Sequence, residues 1–444
     1  MKKLKRIFCF SMILIVTLAS VHAAMFYKEP LKSESVYVVN TNSGVPVIEK
    51  NIYERRSPAS LTKIMTFIVA YENVTDLSEK VRVRQEVLDK VDPLSSGVRL
   101  KPDEEISVID LMHCVLICSS GYAANVLADY VGNGDIETFV QKMNEKARKL
   151  GCENTHFTNP DGMYDENQFS TAFDIYSITN YALKISVFGN ITSKCEYSCF
   201  GDERDPIVTT NRTMDPKRGG EYYCRYVKGI KTGFLKEAGR CLVSRAENDG
   251  VEYIAVVMGG PTQTADGAPV EGNMAMLDTK NIYSWIYENL HMVKLYMRDF
   301  PLTEIGLDYV WGTDKLLLRP QDDVSIIVPK NVNKEDVSLE FHLPKSVEPT
   351  VNEGDVIGSA DIFYSGEKLG SFNLVCSKTY TKAQNWFVKP LCIFGKIISH
   401  PVFLFFFLIA LFLLVIYILA AIRANKRRMH KLKVKKFPGK RRLK

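Results

Sequence analysis

Histidine is scarce in this chain, seven in 444 residues, and no cluster of cysteines has histidines nearby at the spacing that holds a metal, so no metal site is expected. The ten cysteines do not make a disulfide framework. Nine remain once the N-terminal segment is set aside, an odd number at irregular spacing. Cys195 and Cys199 are near enough in sequence to bridge a short loop, but free and mostly buried thiols are the default expectation. Charge is absent from Pro401 to Ile422, 22 residues rich in Phe, Leu and Ile, long enough as a helix to cross a hydrocarbon layer of about 30 Å. Acidic residues are absent from 423–444, where twelve Lys or Arg stand. That bias predicts a single-pass anchor with a cytoplasmic tail, leaving the rest of the chain outside the membrane.

The N-terminus fits this topology. Lys2, Lys3, Lys5 and Arg6 precede an apolar run, and Val21-His22-Ala23 has the small residues of a cleavage site, so residues 1–23 read as a secretory signal. The formal charge of +6 then changes meaning. Without the twelve tail cations and the four at the N-terminus, 41 basic residues face 51 acidic ones, a net of −10. A basic balance here reports topology, and no nucleic-acid partner is implied.

Between the two ends the chain divides in two. "SESVYVVNTNSGVPVIEKN" alternates on both sides of Asn40–Gly44 and predicts a β-hairpin. From Ser60 apolar residues recur at helical spacing behind Pro58, and further helices are expected over 108–131, 136–150 and 171–186. Strands follow in "YVKGIKTGF", "GRCLVSRAEND" and "VEYIAVVMGG", the last two joined at Asp249-Gly250, and a helix through "GNMAMLDTKNIYSWIYENL" closes a domain of residues 25–292. Strands, helices, strands and a helix in that order predict an α+β layering, an antiparallel sheet covered by helices. Residues 300–385 run instead in short alternating stretches and predict a small all-β domain, a β-sandwich serving as spacer or binding module.

Ser60 and Lys63 stand in "RRSPASLTKIM". At i and i+3 on a helix they share a face, so the lysine reaches the serine. A hydroxyl is a poor nucleophile until a base takes its proton, and a lysine is a base only when burial or another cation lowers its pKa. The pattern alone is weak, since about two such matches arise by chance in a chain of this length, and Ser365-Gly-Glu-Lys368 is one, read as a surface hairpin. Lys231-Thr232-Gly233, at the end of a strand, offers the second cation, and its glycine admits a substrate backbone.

Ser60, Lys63 and Lys231-Thr232-Gly233 together resemble the penicillin-recognising serine enzymes, whose signature is S-x-x-K, S-x-N and K-T-G. "ERRSPASLTKIMT", "NTHFTNPDGM", "STAFDIYSIT", "VKGIKTGF" and "IAVVMGG" resemble the low-molecular-mass penicillin-binding proteins, serine-type D-alanyl-D-alanine carboxypeptidases of the S11 peptidase family, in order from residue 34 to about 290. The strand-rich region and the anchor also look like that family. The middle motif departs. Aligned without gaps, "LMHCVLICSSGYAANVLADY" puts Ser119 at the motif serine, with Gly121 where asparagine is usual and Tyr122 where aspartate is common. Moving the frame to Ser120 requires a deletion.

The resemblance implies a β-lactamase/transpeptidase-like fold and a mechanism without cofactor. Ser60 would attack the carbonyl between two D-alanines, Lys63 take its proton and Ser119 relay it to the leaving amine. Lys231 and Thr232 would hold the terminal carboxylate, with Lys231 also keeping Lys63 neutral by repulsion. The N–H groups of Ser60 and Phe234 would form the oxyanion hole. Substrates would be peptidoglycan stem peptides ending in D-Ala-D-Ala, β-lactams covalent inhibitors, and the location a bacterial cell membrane with the catalytic domain outside. Bland readings stand beside these: Ser119 bonding back within its helix, Lys231 and Thr232 on a strand surface, Asn159, Pro160 and Gly162 in a turn, Cys118 in the core, Asp174 and Arg212 structural. The altered motif also fits a weakened or inactive peptide-binding scaffold. A β-lactamase fits poorly, since no glutamate-containing deacylation motif is evident between Ser119 and Lys231.

Overall fold

The computed structural model describes residues 27–434 apart from 28, 202–203, 265, 309–313, 349, 381–389, 391–393, 395–397 and 399–400. The expected signal, residues 1–23, lies outside the described residues, as does 435–444 of the tail. The described chain forms two compact units. One takes the residues up to Met297 together with 323–340 and 361–371, and the other takes 298–322, 341–360 and Phe372 onward.

The first unit opens with the hairpin β1 (Ser35–Asn40) and β2 (Pro46–Lys50). The longer helices that follow are α1 (Lys63–Asn73), α2 (Val108–Leu116), α3 (Gly121–Val131), α4 (Ile136–Lys149), α5 (Ala172–Ala182) and α6 (Ser186–Thr192). Then come β3 (Val227–Leu235), β4 (Gly239–Asn248), β5 (Val251–Gly260) and α7 (Met274–Asn289). The sheet runs β2-β1-β5-β4-β3 and all its described ladders are antiparallel. Successive strand residues point to opposite faces, and both faces are covered. Val36, Val38, Leu242 and Val257 pack with α7 around Tyr283, whereas Tyr37, Val39, Val243 and Val256 pack with the helical cluster around Phe67, Leu111 and Phe139.

Two expected helices are broken. The span 108–131 divides because Ser119 adopts a left-handed φ of 63° and Ser120 then caps a new helix, its Oγ accepting from Ala123 N–H at 3.2 Å. The span 171–186 ends at Ala182 and α6 begins at Ser186. Thr171 caps α5 by accepting from Asp174 N–H, so Asp174 is structural: its carboxylate takes Asn154 N–H and the Thr155 hydroxyl.

The chain continues through β6 (Leu290–Tyr296), β7 (Thr303–Leu307), β8 (Lys315–Pro320), β9 (Val324–Pro329), β10 (Val337–His342), β11 (Ser346–Val347), β12 (Val356–Tyr364) and β13 (Glu367–Cys376). β6 crosses position 292 and pairs with β9 inside the first unit. In the second unit β7 lies between β8 and β11, and β8 also meets the end of β13, around a core of Ile305, Leu316, Leu318 and Leu374. Ser365 and Gly366, with φ of 51° and 85°, turn the chain between β12 and β13, so the second S-x-x-K is a hairpin tip. The last element, α8 (Pro401–Val434), is apolar and long enough to cross a membrane over Pro401–Arg428.

Candidate active site

The nucleophile candidate sits on a short 3₁₀ turn, Ala59–Thr62, which feeds directly into α1. The turn is held by close backbone approaches. Asn159 accepts Gly162 N–H through its side chain, making the expected turn of Asn159, Pro160 and Gly162. Gly162, at a φ of 82°, lies so close that a Cβ there would stand 2.1 Å from the Ala59 carbonyl oxygen. On the other side β3 presses its edge against the turn: a Cβ at Gly233 would meet Ala59 Cβ at 3.2 Å and Ser60 N at 3.3 Å. Glycine at both positions lets two backbones close on the serine.

Lys63 Nζ donates to Ser60 Oγ at 3.0 Å and also to the Asp161 carbonyl oxygen. It is 2% exposed, and burial pushes its pKa down to about 8, opposed by the nearby Asp161 and Cys118. Lys231 is wholly buried, which overturns the strand-surface reading. Its Nζ donates to the Thr232 carbonyl oxygen at 2.9 Å. Burial first, then the charge of Lys63, hold its pKa well below the ordinary lysine range. Desolvation is the first cause at both amines, and repulsion between the two adds to it at Lys231.

Ser119 does not bond back within a helix. It is 3% exposed in the break after α2, its carbonyl accepts the Ser96 hydroxyl at 3.0 Å, and it lines the same cleft of about 520 Å³ as Ser60, Lys63, Thr232, Gly233 and Phe234. Thr232 shares a hydrogen bond with Thr210 through their hydroxyls. Phe234 is 55% exposed at the rim, with the Arg240 guanidinium 5.0 Å above its ring. All seven residues singled out in the sequence thus converge, Lys231 being buried behind the cleft wall. Arg212 lines the cleft as well, stacked at 4.6 Å on Tyr222, so it faces the site as well as bracing it. Among the described residues no cluster of His, Cys, Asp or Glu suits a metal ion.

Sequence reasoning missed Asp161, Ser95, Ser96 and Thr210. Asp161 stands in "NTHFTNPDGM", but its contact with Lys63 runs through a backbone carbonyl, which no residue type advertises. Cys195 and Cys199 do not bridge. Cys199 instead faces Cys114, their sulfurs 3.5 Å apart, and Cys118 donates to the Cys114 carbonyl; the eight described cysteines are free.

Helices against an antiparallel sheet, with a Ser-Lys pair and a Lys-Thr-Gly strand meeting between them, are the architecture of the penicillin-recognising serine enzymes. Residues 21–262 match the D-alanyl-D-alanine carboxypeptidase family, S11 among the peptidases, and residues 291–382 match the C-terminal domain of penicillin-binding protein 5. The chain belongs to the serine-type D-alanyl-D-alanine carboxypeptidases. It is 28% identical over 359 residues to the D-alanyl-D-alanine carboxypeptidase DacF of Bacillus subtilis, covering 79% of this chain and 87% of the relative. With DacC of Escherichia coli it shares 30% over 342 residues, 74% of this chain and 79% of that one. The crystal structure of penicillin-binding protein 5 from Haemophilus influenzae superposes with a TM-score of 0.68 at 25% identity, covering 80% of this chain and 99% of that one.

Proposed function

We propose that this protein removes the terminal D-alanine from peptidoglycan stem peptides through an acyl-enzyme on Ser60, and that β-lactams trap the same serine. The observation that carries the reading is the 3.0 Å contact between Ser60 Oγ and the Nζ of a lysine that burial depresses to about 8. Neutral Lys63 takes the hydroxyl proton as Ser60 Oγ forms a bond to the carbonyl carbon between the two D-alanines. Ser119, whose hydroxyl has no partner among the described residues, passes a proton to the departing amine, and the C–N bond breaks. The N–H groups of Ser60 and Phe234 stabilise the oxyanion, an effect of about 2.7–4 kcal/mol per donor. Thr232, on the cleft wall, holds the terminal carboxylate, with the buried Lys231 behind it bonded to the Thr232 carbonyl. Water then cleaves the ester, returning the proton to Ser60, and no metal or cofactor takes part.

The apolar helix α8 supports attachment to a bacterial cell membrane, with the peptidase outside and the basic tail inside. The strand-rich region, between peptidase and anchor in the sequence, then acts as a spacer. A scaffold that binds wall peptides without turnover is the second reading, favoured by Gly121 in the middle motif. A fluorescent penicillin and a D-Ala-D-Ala peptide separate the two. The enzyme forms a covalent adduct lost in Ser60→Ala and releases D-alanine. No adduct and no release, with peptide binding unchanged by Ser60→Ala, overturns the enzymatic reading.

A further inference from the structure

The residue absent from the middle motif has not left a hole. A Cβ built on Gly121 would lie 2.6 Å from Ser95 Oγ, 2.8 Å from Ser95 Cβ and 3.2 Å from Asp161 Oδ2. At these separations a side chain at 121 fits only if Ser95 moves, so the volume where the motif asparagine would begin is filled by a serine side chain from another loop. Ser95 Oγ donates to Asp161 Oδ2 at 3.2 Å. The same carboxylate oxygen accepts Asn125 Nδ2 at 3.2 Å, its partner oxygen accepts Met163 N–H, and the Asp161 carbonyl accepts Lys63 Nζ.

The placement is held by a ladder. The tripeptide Ser-Ser-Gly occurs at 95–97 and again at 119–121, and the two copies lie against each other. Ser96 Oγ donates to the Ser119 carbonyl at 3.0 Å, Gly121 N–H donates to the Ser96 carbonyl at 3.0 Å, and Ser120 Oγ donates to the Val98 carbonyl at 2.6 Å. Gly97 packs so tightly on Ser120 that a Cβ would stand 2.4 Å from its Cα. Three hydrogen bonds and one backbone contact fix the register of Ser95 against Gly121. Ser95 also lines the cleft beside Ser60, Lys63 and Ser119.

We infer that Ser95 is a positioning residue which replaces, from the neighbouring loop, the polar side chain missing at Gly121, fixing Asp161 and through its carbonyl the general-base lysine. The inference rests on the enzymatic reading above. A hydroxyl of fixed register gives the aspartate one directional hydrogen bond, which is what an amide at 121 would give from the other side. The two positions compete for one place beside Asp161, so a side chain at 121 requires the serine at 95 to move away from it.

The test is a reciprocal swap in the full-length chain, read by the saturating acylation rate and half-saturation concentration for a fluorescent penicillin, with thermal melting of every variant. Ser95→Ala is expected to lower the saturating rate about tenfold while half-saturation and melting stay near those of the unsubstituted chain, because lysine alignment is lost and binding is not. Gly121→Asn alone is expected to cost about a hundredfold and to melt earlier. Ser95→Gly with Gly121→Asn is expected to recover both to within severalfold, a coupling that independent sites do not give. Wild-type rates in Ser95→Ala, or a double variant no better than the two single effects combined, would overturn the inference. If Gly121→Asn fails to fold, Ser95→Ala still decides through the split between rate and half-saturation. An unsubstituted chain that forms no adduct overturns the enzymatic reading instead, and the melting of the swap then still shows whether the two positions compete for one place.

Discussion

Acylation of Ser60 should rise with pH through about 8 and then level. The groups that face Lys63 Nζ are the Ser60 hydroxyl, the Asp161 carbonyl, the buried Lys231 and the Cys118 thiol. Burial is the first cause of its depression from 10.5 to about 8, a preference for the neutral amine of about 3 kcal/mol. Only the neutral amine accepts a proton, so the sign is fixed: activity is lost as pH falls through the pKa. The neutral fraction is about one tenth at pH 7, one half at pH 8 and nine tenths at pH 9, a rise of about tenfold that ends in a plateau. An ordinary lysine would give about a hundredfold rise over the same interval with no plateau. The assay is the saturating acylation rate with a fluorescent penicillin from pH 6 to 10, where binding is not limiting. In Lys231→Gln burial remains, so the inflection stays near 8 although the plateau falls with the lost support of Thr232. A flat profile, or an inflection near 10.5 in the unsubstituted chain, would refute the assignment of Lys63 as base. A return to about 10.5 in Lys231→Gln alone would give the depression to repulsion and put burial second.

Two glycines test the closeness of the walls around the serine. Gly233→Ala sets a methyl 3.2 Å from Ala59 Cβ and 3.3 Å from Pro58 O and Ser60 N, so the turn must give by a few tenths of an ångström; acylation should fall about tenfold with thermal melting nearly unchanged, and wild-type acylation would refute the argument. Gly162→Ala combines a φ of 82° with an approach of 2.1 Å to the Ala59 carbonyl. That site has no room to relax, and a loss of about 3 kcal/mol, or about 5–10 °C in melting for a unit of this size, should appear in a thermal scan; an unchanged midpoint would count against the tight packing of the two turns.

The parts of the fold that could be read from the sequence are those whose cause is local. The hairpins at Asn40–Gly44 and Asp249-Gly250 carry their turn residues with them, and β1, β4 and β5 stand where the strand patterns predict. The amphipathic start of α1 puts Lys63 one turn from Ser60 whatever lies around it. The break at 117–120 was not legible, because the apolar pattern runs through it and the cause is tertiary: Ser96 holds the Ser119 carbonyl and Ser120 turns its hydroxyl to Val98 as well as to the new helix. The depth of Lys231 was equally hidden, since the alternation of β3 cannot tell a strand covered on both faces from one with a wet face.

A motif records which side chains a site uses and is silent on backbone groups and on the space a side chain fills. The brace on Lys63 is the carbonyl of Asp161, a group every residue has, so its position is decided by the Asn159–Gly162 turn and by the approach of Gly162 to Ala59. At Gly121 the sequence offers only a missing amide, which by itself favours a degenerate site. The geometry changes the weight of that observation. A serine hydroxyl stands in the space beside Gly121, bonded to the aspartate whose carbonyl holds the lysine. The departure from the motif therefore counts for less against catalysis than the sequence makes it, because the polar group is displaced to a neighbouring loop while the contact of Ser60 with the buried Lys63 is left intact.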